Sequence, residues 1–259
     1  MQQQQPTVAF FGATGGCANA CLALALQAGY HCSALARSPS KLHNLLQQLK
    51  VPESAITKYL TVIEGDIYDL QAVQKTLNLD GRPVDLIISG LGGKPRFEYG
   101  IKATLDNPTI CQDGIRTILS AARSSCRPHK PRIVIISTTG LSDTRDVPLM
   151  MMPLYHWLLK VPHEDKKVME DLVEAEMQKK PAGEEEEPAI DGYLMVRPSL
   201  LTNGEASGLL KIRTGTDQNP AVGYTISRRD VGLWIFEKVI HQASLADCPY
   251  WGQKVTLTV

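Results

Sequence analysis

The sequence predicts an α/β fold: a doubly wound parallel sheet with a small C-terminal region that shapes a pocket. Three observations carry the sheet. Short apolar runs alternate with helical patterns through the first 140 residues. Two of those runs, 84–91 and 132–138, are apolar without alternation, as strands covered on both faces must be. The first run breaks into a glycine-rich turn followed by a helical pattern, which is how a βαβ unit opens.

The elements follow in order. Residues 7–11 (TVAFF) are the first strand, ended by the glycines of GATGG. A helix over 15–28 carries Ala18, Cys21, Leu22 and Ala25 at helical spacing. HCSALA, 31–36, is the second strand. The helix SPSKLHNLLQQL follows, with Ser38 or Ser40 as its N-cap. LTVIEG, 60–65, is the third strand, and a short helix lies near 69–77. VDLIISGL, 84–91, is the fourth. The helix over 107–124 presents Ile110, Ile115, Ile118, Leu119 and Ala122. RIVIIST, 132–138, is the fifth and most apolar strand. Parallel strands joined this way take right-handed crossovers.

Beyond residue 140 the alternation becomes irregular. Residues 147–159 are apolar but broken by Pro148 and Pro153. The run Met150, Met151, Met152 reads either as a packed loop or dimer contact, or as an adaptable apolar wall over a substrate. A helix is expected over 163–179, with Val168, Leu172 and Val173 as core contacts. KKPAGEEEEP, 179–188, reads as a solvated loop. Strands are expected at 192–198 and 254–259, with short ones at 209–213 and 222–226. A last long helix begins near Ser227 and turns Val231, Trp234 and Ile235 to one side. The expectation is a single domain over 1–259, with pocket-forming segments at about 141–190 and 199–227.

Composition narrows the class. The chain has 259 residues, with 27 basic and 27 acidic side chains, so no global basic excess points to nucleic acid. Six cysteines form neither a CxxC pair nor a zinc spacing, and read as reduced buried thiols in a cytoplasmic protein. No basic segment precedes an apolar run at the N-terminus, and no 18-residue apolar stretch exists. The partners expected are a small molecule, not nucleic acid or membrane, for a monomer or homodimer.

The glycine-rich turn carries the strongest chemical signal. Gly12 and Gly15, with Ala18 in the third position, give a GxxGxxG variant between a strand and a helix. There the chain must turn tightly and bring backbone N–H groups close to a pyrophosphate, which a side chain would obstruct. Gly12, Thr14, Gly15 and Gly16 are the expected cradle for a dinucleotide. The end of the second strand then selects among dinucleotides. An NAD site places an acid there to bind the ribose 2′-hydroxyl. This chain instead reads Ala36-Arg37-Ser38-Pro39-Ser40-Lys41. Arg37, Ser38 and Lys41 offer donors suited to a 2′-phosphate, so NADPH/NADP is expected over NAD.

FGATGG, ARSPSKL, GDIYD after the third strand and VRPSLL after the sixth resemble an atypical short-chain dehydrogenase/reductase, of the NmrA-like and flavin-reductase-like Rossmann type. The resemblance covers about residues 7–240. It implies that Asp66 and Ile67 border the adenine, and that Ser89, Gly90 and Leu91 pass beneath the cofactor. Asp66 reads equally as a helix N-cap.

The catalytic positions depart from the family pattern of a Ser followed by Tyr-x-x-x-Lys. Ser137 and Thr138 supply the hydroxyls, but Tyr155 and Lys160 are five residues apart. The segment that aligns best gives His163-x-x-x-Lys167, whose i, i+4 spacing puts both side chains on one helical face toward the cofactor. A histidine can act as acid or base near neutral pH. The plainer reading is that His163, after Pro162, only opens the helix. Tyr155 or His156 is an alternative proton donor, and Tyr155 also reads as pocket lining. Arg197 and Pro198 end a strand at the carboxyl edge and are expected to border the nicotinamide, unless Arg197 only forms a salt bridge.

The expectation is therefore an NADPH-dependent reductase of a small apolar or aromatic carbonyl, quinone or flavin-like acceptor. Two rivals stay open. One is a non-catalytic NADP-binding regulator that senses redox state, which the missing Tyr-x-x-x-Lys favours. The other is a non-redox isomerase or cyclase on the same fold.

Overall fold

The protein is described by a computed structural model covering residues 5–93, 95–98, 102–124, 130–153, 160–179 and 187–259. Eight strands form the main sheet: β1 (Val8–Phe11), β2 (Cys32–Ala36), β3 (Leu60–Glu64), β4 (Leu86–Ser89), β5 (Arg132–Ile136), β6 (Gly192–Pro198), β7 (Arg213–Thr216) and β8 (Gln253–Thr258). Their spatial order is β7-β8-β6-β5-β4-β1-β2-β3. All neighbours are parallel except β7 against β8. The order reverses at β1, which pairs with β2 on one side and β4 on the other. Phe10 accordingly lies opposite Ala34 and Ile88. In an open α/β sheet the carboxyl side of such a reversal is where ligands bind.

The helices are α1 (Gly16–Gln27), α2 (Pro39–Gln48), α3 (Glu53–Tyr59), α4 (Leu70–Thr76), α5 (Ile110–Arg123), α6 (Lys160–Met177) and α7 (Arg228–Ile235). The pleat divides the strand side chains between two cores. Val8, Phe10, Ile88 and Val134 face α1 and α7. Ala9, Phe11, Ile87 and Ile133 face α4, α5 and α6. Helices α1 and α7 pack backbone to backbone: a Cβ on Gly232 would lie 2.6 Å from the Ala20 Cβ and 2.7 Å from the Cys21 nitrogen.

Most expected elements are present within a few residues. Ser38 caps α2 and Ser227 caps α7, each accepting from a backbone N–H three residues on. Three local expectations change. Helix α3 precedes β3 where no helix was expected, because Pro52 opens it and Ile56 buries against the core. Two short strands, Pro95–Glu98 and Lys102–Leu105, pair antiparallel. Residues 209–211 form a 3₁₀ turn before β7, and Thr225–Ser227 pairs with Leu200–Thr202 apart from the main sheet. Helix α6 starts at Lys160, so Pro162 and His163 already lie inside its first turn.

Candidate functional site

The glycine-rich turn has the shape a pyrophosphate needs. Gly12 has φ +71°, a left-handed conformation, and a Cβ there would lie 2.6 Å from the Gly90 carbonyl oxygen. The Gly15 N–H closes the turn on the Gly12 oxygen at 2.8 Å, and the Asn19 side chain donates to Ala13 O at 2.9 Å. Helix α1 has Gly15 as N-cap, no side-chain cap and no acid in its first turn. Its first N–H groups and the positive end of its dipole are left for an anion. Ala18 fills the third motif position by packing beside Gly90, where an added Cβ would lie 2.7 Å from the Ala18 Cβ. Gly16 makes room for Arg228: a Cβ at Gly16 would lie 2.4 Å from the Arg228 Cδ. The Arg228 guanidinium donates to Leu201 O and Asn203 Oδ1. These residues fit a dinucleotide.

Arg37 and Lys41 are exposed just beyond β2, on either side of the Ser38 cap. Ile67 is buried beneath Gly114 and Leu91. Asp66 does not cap α4. It accepts from the Tyr68 N–H, while Asp69 accepts from Gln71 and Ala72 and is the N-cap.

At the carboxyl ends of β4 and β5, Ser89 and Ser137 are buried, and their hydroxyls have no hydrogen-bond partner among the described residues. Ser89 lies opposite Ile135, two residues before Ser137, so both belong to the face covered by α5 and α6. The lysine that reaches this edge is Lys166. Its Nζ donates to Leu91 O at 2.8 Å and to Ile136 O at 2.6 Å, leaving one N–H.

This corrects the expectation for Lys167, which is half exposed and paired with Asp171 one turn on. The physical reason is the helix register. Asp165, Met169, Glu170 and Val173 are buried, which rotates 167 outward. His163 is three residues before Lys166 and shares its stripe. It lines a hollow of about 250 Å³ with Gly140, Ser142, Asp146 and Met152. Thr138 is half-buried and donates to Thr139 O. Tyr155 and His156 lie outside the described residues.

Neighbouring acids of α6 have structural work. Asp165 accepts from the Cys111 and Gln112 N–H groups, capping α5 from another helix. Glu170 holds Arg197 through two parallel hydrogen bonds. Arg197 also donates to Ser142 and Asp217, so it is a buried hub with most of its donors committed. Pro198 is buried, and its carbonyl accepts from Thr139. Asp146 pins the 140–146 loop through Gly140 N–H and Ser142. Burial raises the Asp146 carboxyl above the usual carboxylate range.

A second, larger hollow of about 390 Å³ lies at the carboxyl edge of β8, lined by residues of 145–150, β7 and 222–225. The five described cysteines are free and buried, and burial pushes the Cys17 thiol up to about 12 and Cys111 to about 11. Cys126 lies outside the described residues. Among the described residues no cluster of metal-ligating side chains occurs, and no helix is long and apolar enough to cross a membrane.

Lys166, Glu170 and Arg228 are the site residues that sequence reading missed. The signal for the first two was the stripe His163, Lys166, Glu170, Val173, at spacings of three and four. Arg228 had no local signal, because its neighbour Gly16 is more than two hundred residues away.

Known proteins resemble this chain in sequence and in fold. A family model described as NAD(P)H-binding matches residues 12–242. A protein named Reductase pytE, from Aspergillus terreus, is 50% identical over 269 residues, and the match covers all of both chains. One named Oxidase pynE, from Aspergillus niger, is 37% identical over 289 residues, covering 98% of this chain and 99% of that one. Among solved structures, a short-chain dehydrogenases/reductase from Veillonella parvula in complex with NADP superposes with TM-score 0.65. It is 14% identical, and the match covers 99% of this chain and 95% of that one. An anaerobillin reductase from Escherichia coli gives TM-score 0.63 at 21% identity, covering 97% and 96%. At these identities the solved structures speak for the fold alone.

Proposed function

We propose, for a chain that belongs to the NAD(P)H-binding family, an NADPH-dependent reductase of a small apolar or aromatic acceptor: a carbonyl, a quinone or a flavin-like ring. The observation that carries this reading is the convergence at the ends of β4 and β5. Two buried hydroxyls without partners, Ser89 and Ser137, lie on the same face as the Lys166 ammonium. The curated relatives named as a reductase and an oxidase support oxidoreductase chemistry.

Gly12, Thr14, Gly15 and Gly16 hold the pyrophosphate against the uncapped start of α1. Arg37, Ser38 and Lys41 take the 2′-phosphate, and the absence of an acid there removes the feature that favours NAD. Asp66 and Ile67 border the adenine. Ser89, Gly90 and Leu91 form the floor. Lys166 takes the role first assigned to Lys167: its remaining N–H is available to a ribose hydroxyl. Arg197 and Pro198 act at one remove, by fixing the 139–146 loop over the nicotinamide end.

Bound NADPH supplies a hydride. The protein's part is to orient the acceptor and supply a proton. Ser137 and Thr138 hydrogen-bond the acceptor oxygen. His163, on the Lys166 stripe, donates the proton to that oxygen as it becomes a hydroxyl.

Purified protein mixed with NADPH and a panel of quinones, flavins and aromatic carbonyls is expected to bleach the nicotinamide absorbance band. Tight NADP binding with no consumption by any acceptor would replace this reading with that of a redox-sensing regulator.

A further inference from the structure

We propose that the hollow beside β7 and β8 seats an apolar organic anion, whose acidic group is held by Arg145 and Arg213. The inference names the chemical class of the acceptor, and so rests on the reductase reading for that identification.

Its walls are apolar and unusually exposed. Leu149 is 70% exposed, Met150 83%, Tyr224 54% and Val259 41%, and all four line this one hollow. They are half of the eight large hydrophobic side chains exposed among the described residues. An apolar cluster open to water, rather than scattered, marks a surface that something covers. The volume of about 390 Å³ suits a small molecule rather than a protein segment.

The charge lining is one-sided. Arg145 and Arg213 are the charged side chains of the hollow, with no Asp or Glu beside them in its lining. Among the described residues neither arginine has a carboxylate partner. Arg213 donates only to the Val222 carbonyl, at 3.1 Å. A guanidinium presents a planar fork that matches a carboxylate or an acidic enolate, and two of them over an apolar wall select a negative charge on a greasy body.

Arg145 also lines the smaller hollow that contains His163, where Asp143 and Asp146 disfavour an anion and leave the acidic group to the larger hollow. The two cavities therefore meet at one side chain. An acceptor spanning them places its acidic group at the arginines and its reacting end toward His163. That arrangement binds the molecule by a part that does not react, and so orients the part that does.

The test uses two fluorescent probes of similar shape: anilinonaphthalene sulfonate, an apolar anion, and the neutral N-phenylnaphthylamine. The wild-type protein is expected to bind the anion about tenfold tighter than the neutral probe. The Arg145→Ala/Arg213→Ala double variant is expected to lose that preference while keeping its NADPH titration, its neutral-probe affinity and its melting temperature. Equal binding of both probes by wild type overturns the proposal. A preference that survives in the double variant also overturns it, because the anion then binds elsewhere. Failure of every acceptor to oxidise NADPH sinks the reductase reading alone and leaves the anion preference to be read by itself.

Discussion

Arg197 and Glu170 meet edge to edge, Nε to Oε1 at 3.0 Å and Nη2 to Oε2 at 2.6 Å, with each side chain 1% exposed. A buried ion pair of this kind adds little net stability over an apolar pair, but removing one partner strands the other charge. Asp217 remains as a second carboxylate on Arg197, so Glu170→Gln is expected to cost about 1–3 kcal/mol in urea unfolding, less than full stranding would. A loss under about 1 kcal/mol would show that water reaches the guanidinium.

Lys166 and Lys167 are adjacent in sequence, but Lys166 reaches the Leu91 and Ile136 carbonyls while Lys167 is half exposed beside Asp171. Lys166→Met is expected to weaken NADPH binding about tenfold or more, the worth of one charge-assisted hydrogen bond. Lys167→Met removes only an exposed i, i+4 pair and is expected to change affinity by less than about twofold. Fluorescence titration with NADPH reads both. The reverse ranking would return the ribose role to Lys167.

Gly12→Ala meets two obstacles at once, a positive φ and a backbone oxygen 2.6 Å from the new Cβ. The left-handed conformation alone costs about 1–2 kcal/mol in a residue with a Cβ. The carbonyl cannot step aside without moving β4. NADPH binding is expected to vanish while circular dichroism still reports a folded sheet. Retained affinity would mean that the turn is not the pyrophosphate cradle.

Arg37 is exposed, so its replacement tests recognition rather than folding. Arg37→Asp is expected to weaken NADPH binding by about ten- to a hundredfold and to leave NADH little changed. Equal losses for both cofactors would remove the 2′-phosphate contact.

Among the carboxylates held below their ordinary range, Glu176 is the buried one. Burial pulls the Glu176 carboxyl up, but the Ala189 N–H, Arg123 and Lys179 together outweigh it and hold the group below its ordinary range. The folded value thus lies below the unfolded value of about 4.5. The stabilisation is present above that pH and is lost as pH falls through the folded value. Melting temperatures measured across this window are expected to fall more steeply for the wild type than for Glu176→Gln.

The scaffold was legible because its signals are local. The 2-residue and 3.6-residue periods, the Ser38 and Ser227 caps and the Gly12 turn each lie within a dozen residues. What stayed hidden depends on chain segments far apart. Lys166 is distinguished from Lys167 only by the rotation of α6, which Asp165 and Glu170 set by reaching α5 and β6. Spacing placed His163 and Lys167 on one face at i, i+4 as readily as His163 and Lys166 at i, i+3, and only packing decides between them. Arg197 is placed at the carboxyl edge as expected, but its partners come from α6 and from the loops holding Ser142 and Asp217, which no local pattern reports.

The backbone contact of Gly232 with Ala20 and Cys21 divides the chain into parts with different freedom to mutate. Any side chain at 232 would push α1, and with it the phosphate cradle, away from the sheet. Leu149, Met150 and Tyr224 are exposed, and exposed positions tolerate exchange within about 0.5 kcal/mol. On the binding mode proposed above, selection can rewrite what the hollow accepts without putting the fold at risk. A lineage carrying this scaffold can change its substrate by drift at a few surface residues while its cofactor stays fixed.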